Sequence, residues 1–266
     1  MIVIGEKLNS SIPSAFEAFK NRDADTVVSV AAKQLKAGAD YLDVNTGVLE
    51  HEKETLLWCV RTILETVPEA RFALDSSDPS AIAWVLEQVE LHDFVINSIN
   101  LEPSRYQGVL PLLKKYPQAG VVVLPIDEVG IPKDTEGRLT KARKIIEMLA
   151  EEGISHQRLY LDILAEALSA DDASGRFALE TAEILRREYP EIHLIAGLSN
   201  VSFGLPKRMF LNNAFLSAAI TMGLDAAIMD ITNDVTRMTM RAALLVNGKD
   251  EYCMEYLTDF REIYDN

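Results

Sequence analysis

Asp75, Asn97, Asp162 and Asn200 each close a short apolar run. The runs read Phe72-Ala73-Leu74-Asp75, Phe94-Val95-Ile96-Asn97, Leu159-Tyr160-Leu161-Asp162 and Leu194-Ile195-Ala196-Gly197-Leu198-Ser199-Asn200. Ionised carboxylates only accept hydrogen bonds, whereas amides both donate and accept. The set suits a neutral, nitrogen-rich heterocycle carrying several N–H groups. An Asp facing an amino-pyrimidinone edge makes two parallel hydrogen bonds, as Arg does with a carboxylate but with the roles reversed. Any one of the four reads equally well as a strand-end cap; four at one rim do not.

Other chemistries fit these residues less well. A Schiff-base aldolase needs a lysine inside the fold, and Lys7, the only lysine near a strand end, reads as a solvated loop residue. Asp43, Asp75, Asp162 and Asp230 could supply carboxylates to a divalent metal. No histidine completes a transition-metal set, because His51, His92, His156 and His193 fall in loops or just before strands, on the wrong rim. A magnesium site of carboxylates alone stays open, but the expectation is no metal. There is no G-x-S-x-G and no cysteine at a strand end, and Ser199 reads as shaping a turn. A phosphorylated ligand would want a glycine-rich nest or basic side chains at the last two strand ends. Those ends read Ser199-Asn200-Val201-Ser202 and Asp230-Ile231-Thr232-Asn233.

The elements that must position these side chains are legible from spacing. Eight apolar runs start near residues 2, 41, 72, 94, 121, 159, 193 and 226. They do not alternate with polar residues, as expected of strands buried on both faces. Helical spacing fills the gaps, near 26–37, 55–67, 79–89, 103–116, 138–152, 174–189, 207–222, 234–247 and 252–264. Gly38 is placed as a helix stop, and Pro79 as a first helical position after the cap candidates Ser76, Ser77 and Asp78. Each gap is long enough for one crossover helix. This predicts an α/β fold, a (β/α)8 TIM barrel, whose strand ends gather at the face where such barrels place their active sites. A doubly wound sheet competes, but the first turn, Gly5-Glu6-Lys7-Leu8-Asn9, lacks the G-x-G-x-x-G of a nucleotide site.

Composition agrees. The 266 residues are 48% hydrophobic, with no linker-like stretch, and predict a single domain over 1–266. The formal net charge of −15 repels phosphate backbones and anionic lipid, which argues against nucleic-acid and membrane partners. Two distant cysteines without a CxxC, an N-terminus that enters a strand directly and the lack of a spanning apolar stretch predict a cytoplasmic protein.

With these residues in view, the chain resembles the methyltetrahydrofolate:corrinoid protein methyltransferases and the folate domain of cobalamin-dependent methionine synthase. The matching segments include Ile4-Gly5-Glu6-Lys7-Leu8-Asn9, Leu42-Asp43-Val44-Asn45-Thr46-Gly47, Leu74-Asp75-Ser76, Ile96-Asn97-Ser98-Ile99-Asn100, Leu159-Tyr160-Leu161-Asp162 and Gly197-Leu198-Ser199-Asn200-Val201-Ser202. Each is weakly specific alone; in order, and nearly end to end, they are specific. The resemblance implies a pterin-binding barrel in which Asp75, Asn97 and Asp162 hold the pyrimidine edge. Asn200 approaches N5, the nitrogen that carries the methyl group. Asp43, Asn45 and Ser199 are expected as further pocket residues. It implies tetrahydrofolate or 5-methyltetrahydrofolate as substrate, cobalamin carried by a separate corrinoid protein, and a homodimer. No D-x-H-x-x-G corrinoid signature occurs in this chain, and the same pocket serves transfer in either direction. Asn200 does not titrate, so its expected part is to stabilise charge on N5. Two segments depart from the family: Leu124-Pro125-Ile126-Asp127-Glu128-Val129 after the fifth strand, and Phe203-Gly204-Leu205-Pro206, in the loop that faces the corrinoid. A dihydropteroate synthase-like enzyme is the second reading, although its pyrophosphate leaving group would want an Arg-x-His or similar cluster at the last strand. A non-catalytic folate-binding subunit is the third.

Overall fold

Parallel strands bond evenly along their length but need a crossover between neighbours, and the chain alternates accordingly. A computed structural model describes residues 1–265. Its strands are β1 (Ile2–Asn9), β2 (Tyr41–Asn45), β3 (Phe72–Asp75), β4 (Phe94–Ile99), β5 (Gly120–Val123), β6 (Leu159–Asp162), β7 (His193–Ile195) and β8 (Ala226–Met229). All neighbours pair in parallel, in the order β7-β6-β5-β4-β3-β2-β1-β8. A parallel bridge between Gly197 and Ile228 and the Ile228 N–H donating to the Ala196 carbonyl at 2.9 Å join the two ends. The fold is a TIM barrel, as the apolar runs predict.

The crossovers are α2 (Ala24–Lys36), α3 (Glu52–Thr66), α4 (Pro79–Gln88), α5 (Pro103–Lys115), α6 (Thr135–Glu151), α7 (Ser174–Glu188) and α8 (Arg208–Thr221). After β8 come α9 (Asp234–Val246) and α10 (Met254–Tyr264), while α1 (Pro13–Lys20) is an extra helix between β1 and α2 that spacing alone does not reveal. Its signal is Pro13 at a first helical position. Asp78 is the cap used before Pro79, accepting from the Ser80 N–H at 2.8 Å. Gly38, at φ +101°, follows α2 as a stop. Among the described residues no helix is long and apolar enough to cross a membrane.

The barrel interior is organised by the two-residue period of a strand. Each strand contributes one buried residue to an inner plug: Ile4, Tyr41, Ala73, Val95, Val122, Tyr160, Ile195 and Ala226. Two residues further along each strand is the next inward position. These are Glu6, Asp43, Asp75, Asn97, Leu124, Asp162, Gly197 and Ile228. A floor of apolar side chains therefore carries a layer rich in acids and amides directly above it.

β1 needs one local repair. Its pairing with β2 shifts register between Gly5 and Leu8, and the Lys7 N–H donates instead to Gln34 Oε1 of α2 at 2.9 Å. Gln34 is fully buried and lies so close to β1 that a Cβ on Gly5 would come within 2.5 Å of Oε1. Gly5→Ala should therefore destabilise the fold by about 1–3 kcal/mol through overpacking. Gly5→Ala combined with Gln34→Ala should recover part of that loss. Urea unfolding of the two variants measures both, and an unchanged midpoint for Gly5→Ala would refute the constraint.

Candidate functional site

The strand C-termini open into a cleft of about 670 Å³. Glu6, Asp43, Asp75, Asn97, Asp162, Ser199 and Asn200 line it, together with Lys7, Asn9, Phe203, Arg208 and Asp230. Six of the seven side chains singled out from sequence therefore face one space. Asn45 does not border it; it donates through Nδ2 to Asp75 Oδ2 at 2.7 Å and orients that carboxylate from behind. Asn97 repeats the arrangement within the layer itself, donating through Nδ2 to Asp43 Oδ1 at 3.2 Å. Asp75 and Asp43 are thus each met by a neutral amide.

Neutral partners leave these acids under-compensated. Burial pushes the Asp43 carboxyl well above the usual range, the charge of Asp75 adds to this, and the Asn97 amide opposes it. Burial likewise raises Asp75, against the Asn45 hydrogen bond and the charge of Arg105. Asp162 is pushed up to about 6 by burial, although the Leu164 N–H donates to its Oδ1 at 2.7 Å. Behind Asp162 the buried Arg138 of α6 donates to the carbonyls of Ile163 (3.2 Å) and Leu164 (2.7 Å) and pairs with Glu166 at 2.8 Å. It fixes the loop that presents Asp162.

Asn200 and Ser199 stand differently from their sequence expectation. β7 ends at Ile195, and residues Leu198–Asn200 form a 3-10 turn rather than the strand end. The turn carries both residues back over the cleft. The Asn200 amide packs against Gly197, where a Cβ would come within 2.9 Å of Nδ2. It is exposed, and its side chain makes no hydrogen bond within the described residues. It does not cap the turn. Ser199 is held between two groups, donating to Glu6 Oε1 at 2.7 Å while its carbonyl accepts from Arg208 Nη2 at 2.5 Å.

Sequence reasoning did not single out Glu6 and Arg208, and it weighed Asp230 only as a metal carboxylate. Counting by twos from Ile4 would have found Glu6. Arg208 lies on a helix, and no strand period reports it. Lys7, expected to be solvated, pairs with Asp230 at 2.8 Å at the mouth. His51 also differs, since it sits in the β2–α3 connection on the active face; it is exposed and borders a separate groove beside α1. The divergent stretch after β5 borders the cleft nowhere: Leu124 packs on the apolar plug and Asp127 is tied to Lys141 at 2.7 Å. Among the described residues no three His, Cys, Asp or Glu side chains are grouped as metal ligands.

A family described as pterin binding enzyme matches residues 5–230, which spans every cleft-lining strand. The chain belongs to this pterin-binding enzyme family. It is also 33% identical over 264 residues to a methylcorrinoid:tetrahydrofolate methyltransferase of Eubacterium limosum, covering 98% of this chain and 97% of that one. A methionine synthase of Mycobacterium tuberculosis is 28% identical over 241 residues, which is 86% of this chain but only 20% of that protein. Among solved structures, dihydropteroate synthases share the fold. That of Yersinia pestis has a TM-score of 0.67 at 19% identity, covering 93% of each chain. That of Coxiella burnetii, in complex with pteroic acid, has a TM-score of 0.67 at 16% identity, covering 94% of each. At such identities these structures speak for the barrel alone. The resemblance read from the ordered segments is thus met, and the chain is an enzyme of the pterin-binding family.

The acid layer should show in the stability of the free enzyme. A carboxyl raised in the folded state contributes stability below its unfolded value, near 3.8, which is lost as pH rises through about 6 for Asp162. Asp162→Asn should therefore raise the melting temperature at alkaline pH and change it little in acid. Thermal melts across pH test this, and an equal effect at both ends would refute it.

Proposed function

We propose that this enzyme moves a methyl group between N5 of tetrahydrofolate and the cobalt of a corrinoid held by a separate protein. What carries the reading is the end-to-end match to a methylcorrinoid:tetrahydrofolate methyltransferase, together with the chemistry of the cleft over the same residues. A pterin's amino-pyrimidinone edge offers N–H donors, and Asp75 and Asp162 are acceptors that lost water on burial without gaining a full counter-charge. Asn97 adds an amide that both donates and accepts.

The residues divide the work. Asp75, Asn97 and Asp162 bind and orient the ring, Asp43 and Asn45 hold that set in place, and Ser199 fixes the turn that carries Asn200. Asn200, unengaged in the free enzyme, stabilises charge on N5 as the bond to the methyl group breaks or forms. The corrinoid supplies the methyl-accepting or methyl-donating cobalt. Phe203 at the mouth and Phe210 on α8, 67% and 65% exposed, offer apolar surface to the face that brings it. The resemblance adds a homodimer to the proposal, and the sparse, unpaired cysteines add a cytoplasmic setting.

The dihydropteroate synthase reading is weaker. Its pyrophosphate would want free cations, yet Lys7 is paired with Asp230, and Arg208 donates to the Ser199 carbonyl and to Ser202 Oγ at 3.0 Å.

Mixing the protein with tetrahydrofolate and methylcobalamin and following the cobalt spectrum tests the reaction; no transfer, in either direction, would sink it. Asp162→Ala should weaken folate binding by about 1–3 kcal/mol, the cost of leaving buried polar groups unpaired. Unchanged affinity by calorimetry would remove Asp162 from the pocket. Folate affinity should also fall as pH drops below about 6, because protonation of Asp162 removes an acceptor.

Asn200→Ala should slow single-turnover transfer by ~10²–10³ while changing folate affinity little. A normal rate would refute the role given to Asn200. A chelator should leave the wild-type rate unchanged; loss restored by a divalent ion would bring back a carboxylate metal site.

A further inference from the structure

Methyl transfer at N5 changes the number of protons on that nitrogen, and an amide such as Asn200 cannot hold one. One titratable group stands beside it. Glu6 is the inward residue of β1 above Ile4, lines the cleft, and accepts the Ser199 hydroxyl at 2.7 Å. Ser199 immediately precedes Asn200 in the 3-10 turn. The groups facing Glu6 come from every neighbouring element: Ser199 from the turn, Asp230 after β8, Lys7 on its own strand, Arg208 on α8 and Asp43 on β2. The two cations are engaged elsewhere, Lys7 with Asp230 and Arg208 with the Ser199 carbonyl. Burial raises the Glu6 carboxyl above its ordinary range, the Ser199 hydrogen bond opposes this, and the charge of Asp230 adds to it.

Resting on the folate–corrinoid reading, we propose that Glu6 holds the proton that N5 releases or recovers, with the Ser199 hydroxyl as carrier. In the direction that forms methyltetrahydrofolate, the N5 lone pair makes the new carbon–nitrogen bond. The electron pair of the methyl–cobalt bond stays with the cobalt. The N5 proton passes to Ser199 Oγ as the Ser199 proton passes to the Glu6 carboxylate. The reverse direction returns that proton to N5 as the carbon–nitrogen pair collapses onto nitrogen. No other reactant is needed. Glu6 acts through Ser199 and is in this sense a positioning residue for the proton.

The test is single-turnover transfer from methylcobalamin to saturating tetrahydrofolate, on both sides of neutrality, with wild type, Glu6→Gln, Glu6→Asp and Ser199→Ala. The wild-type rate should rise with pH as Glu6 ionises. Glu6→Gln should lose that limb and run roughly 10²-fold slower, with folate affinity within about threefold of wild type as the check on folding. Glu6→Asp, which keeps a carboxylate, should restore the limb in part. Ser199→Ala should slow transfer with Glu6 still present. A Glu6→Gln profile that matches wild type, or one lowered equally at every pH, would overturn the proposal. An inactive wild type would instead remove the folate–corrinoid reading beneath it, and this proposal with it.

Discussion

The site rests on the two-residue period of a strand inside a closed barrel. A barrel of eight parallel strands must fill its interior, and here eight side chains, one per strand, form an apolar plug. The same geometry obliges the next inward residue of each strand to stand directly on that plug. Four of those eight are Glu6, Asp43, Asp75 and Asp162, so four carboxyl groups occupy a layer that water reaches from one side only. Burying acids disfavours their charged form, and among the described residues no arginine or lysine forms an ion pair with Asp43 or Asp75; the charge of Arg105 offsets the burial of Asp75 only in part. The partners are amides, Asn97 and Asn45. An arginine would have neutralised the acids and filled their acceptor sites; an amide orients them and leaves acceptor capacity toward the cleft.

That choice divides the work of the protein into two parts. The plug, the helices and the buried Arg138 clamp supply rigidity, while the acid layer stores unfavourable electrostatics at the rim. Such a layer is poised for a ligand that brings several N–H groups at fixed spacing. The ligand's N–H groups then replace the hydrogen bonds of the missing water, which fits a pocket formed before the substrate arrives.

Much of this was legible in the sequence. Continuous apolar runs ending in Asp or Asn gave the barrel, its strand starts and the identity of its active face. Asp43, Asp75, Asn97 and Asp162 are strand residues, and periodicity carries a strand residue to a known side. What escaped lies where the period breaks. β7 stops at Ile195, and the 3-10 turn, not the strand, brings Ser199 and Asn200 over the cleft. Asn45 sits at the last position of β2, where its amide turns sideways to Asp75 instead of into the space. Arg208 comes from a helix that folds over the mouth, and α1 fills a connection whose only strong local signal is Pro13.

The stretch after β5 departs from the family and touches the cleft nowhere. Its inward residue is Leu124, seated on the plug, and the polypeptide then turns away to the Asp127–Lys141 pair. The polar layer is therefore a broken ring, interrupted by Leu124 at the fifth strand and by Gly197 and Ile228 at the seventh and eighth, where the turn carrying Ser199 and Asn200 supplies polar groups instead. A ligand is read chemically from β1, β2, β3, β4 and β6, but its edge toward β5 meets no polar reader. Substituents on that edge would go unread, so inhibitors able to separate this enzyme from its relatives are best elaborated there, and sequence drift on that side carries little cost for recognition.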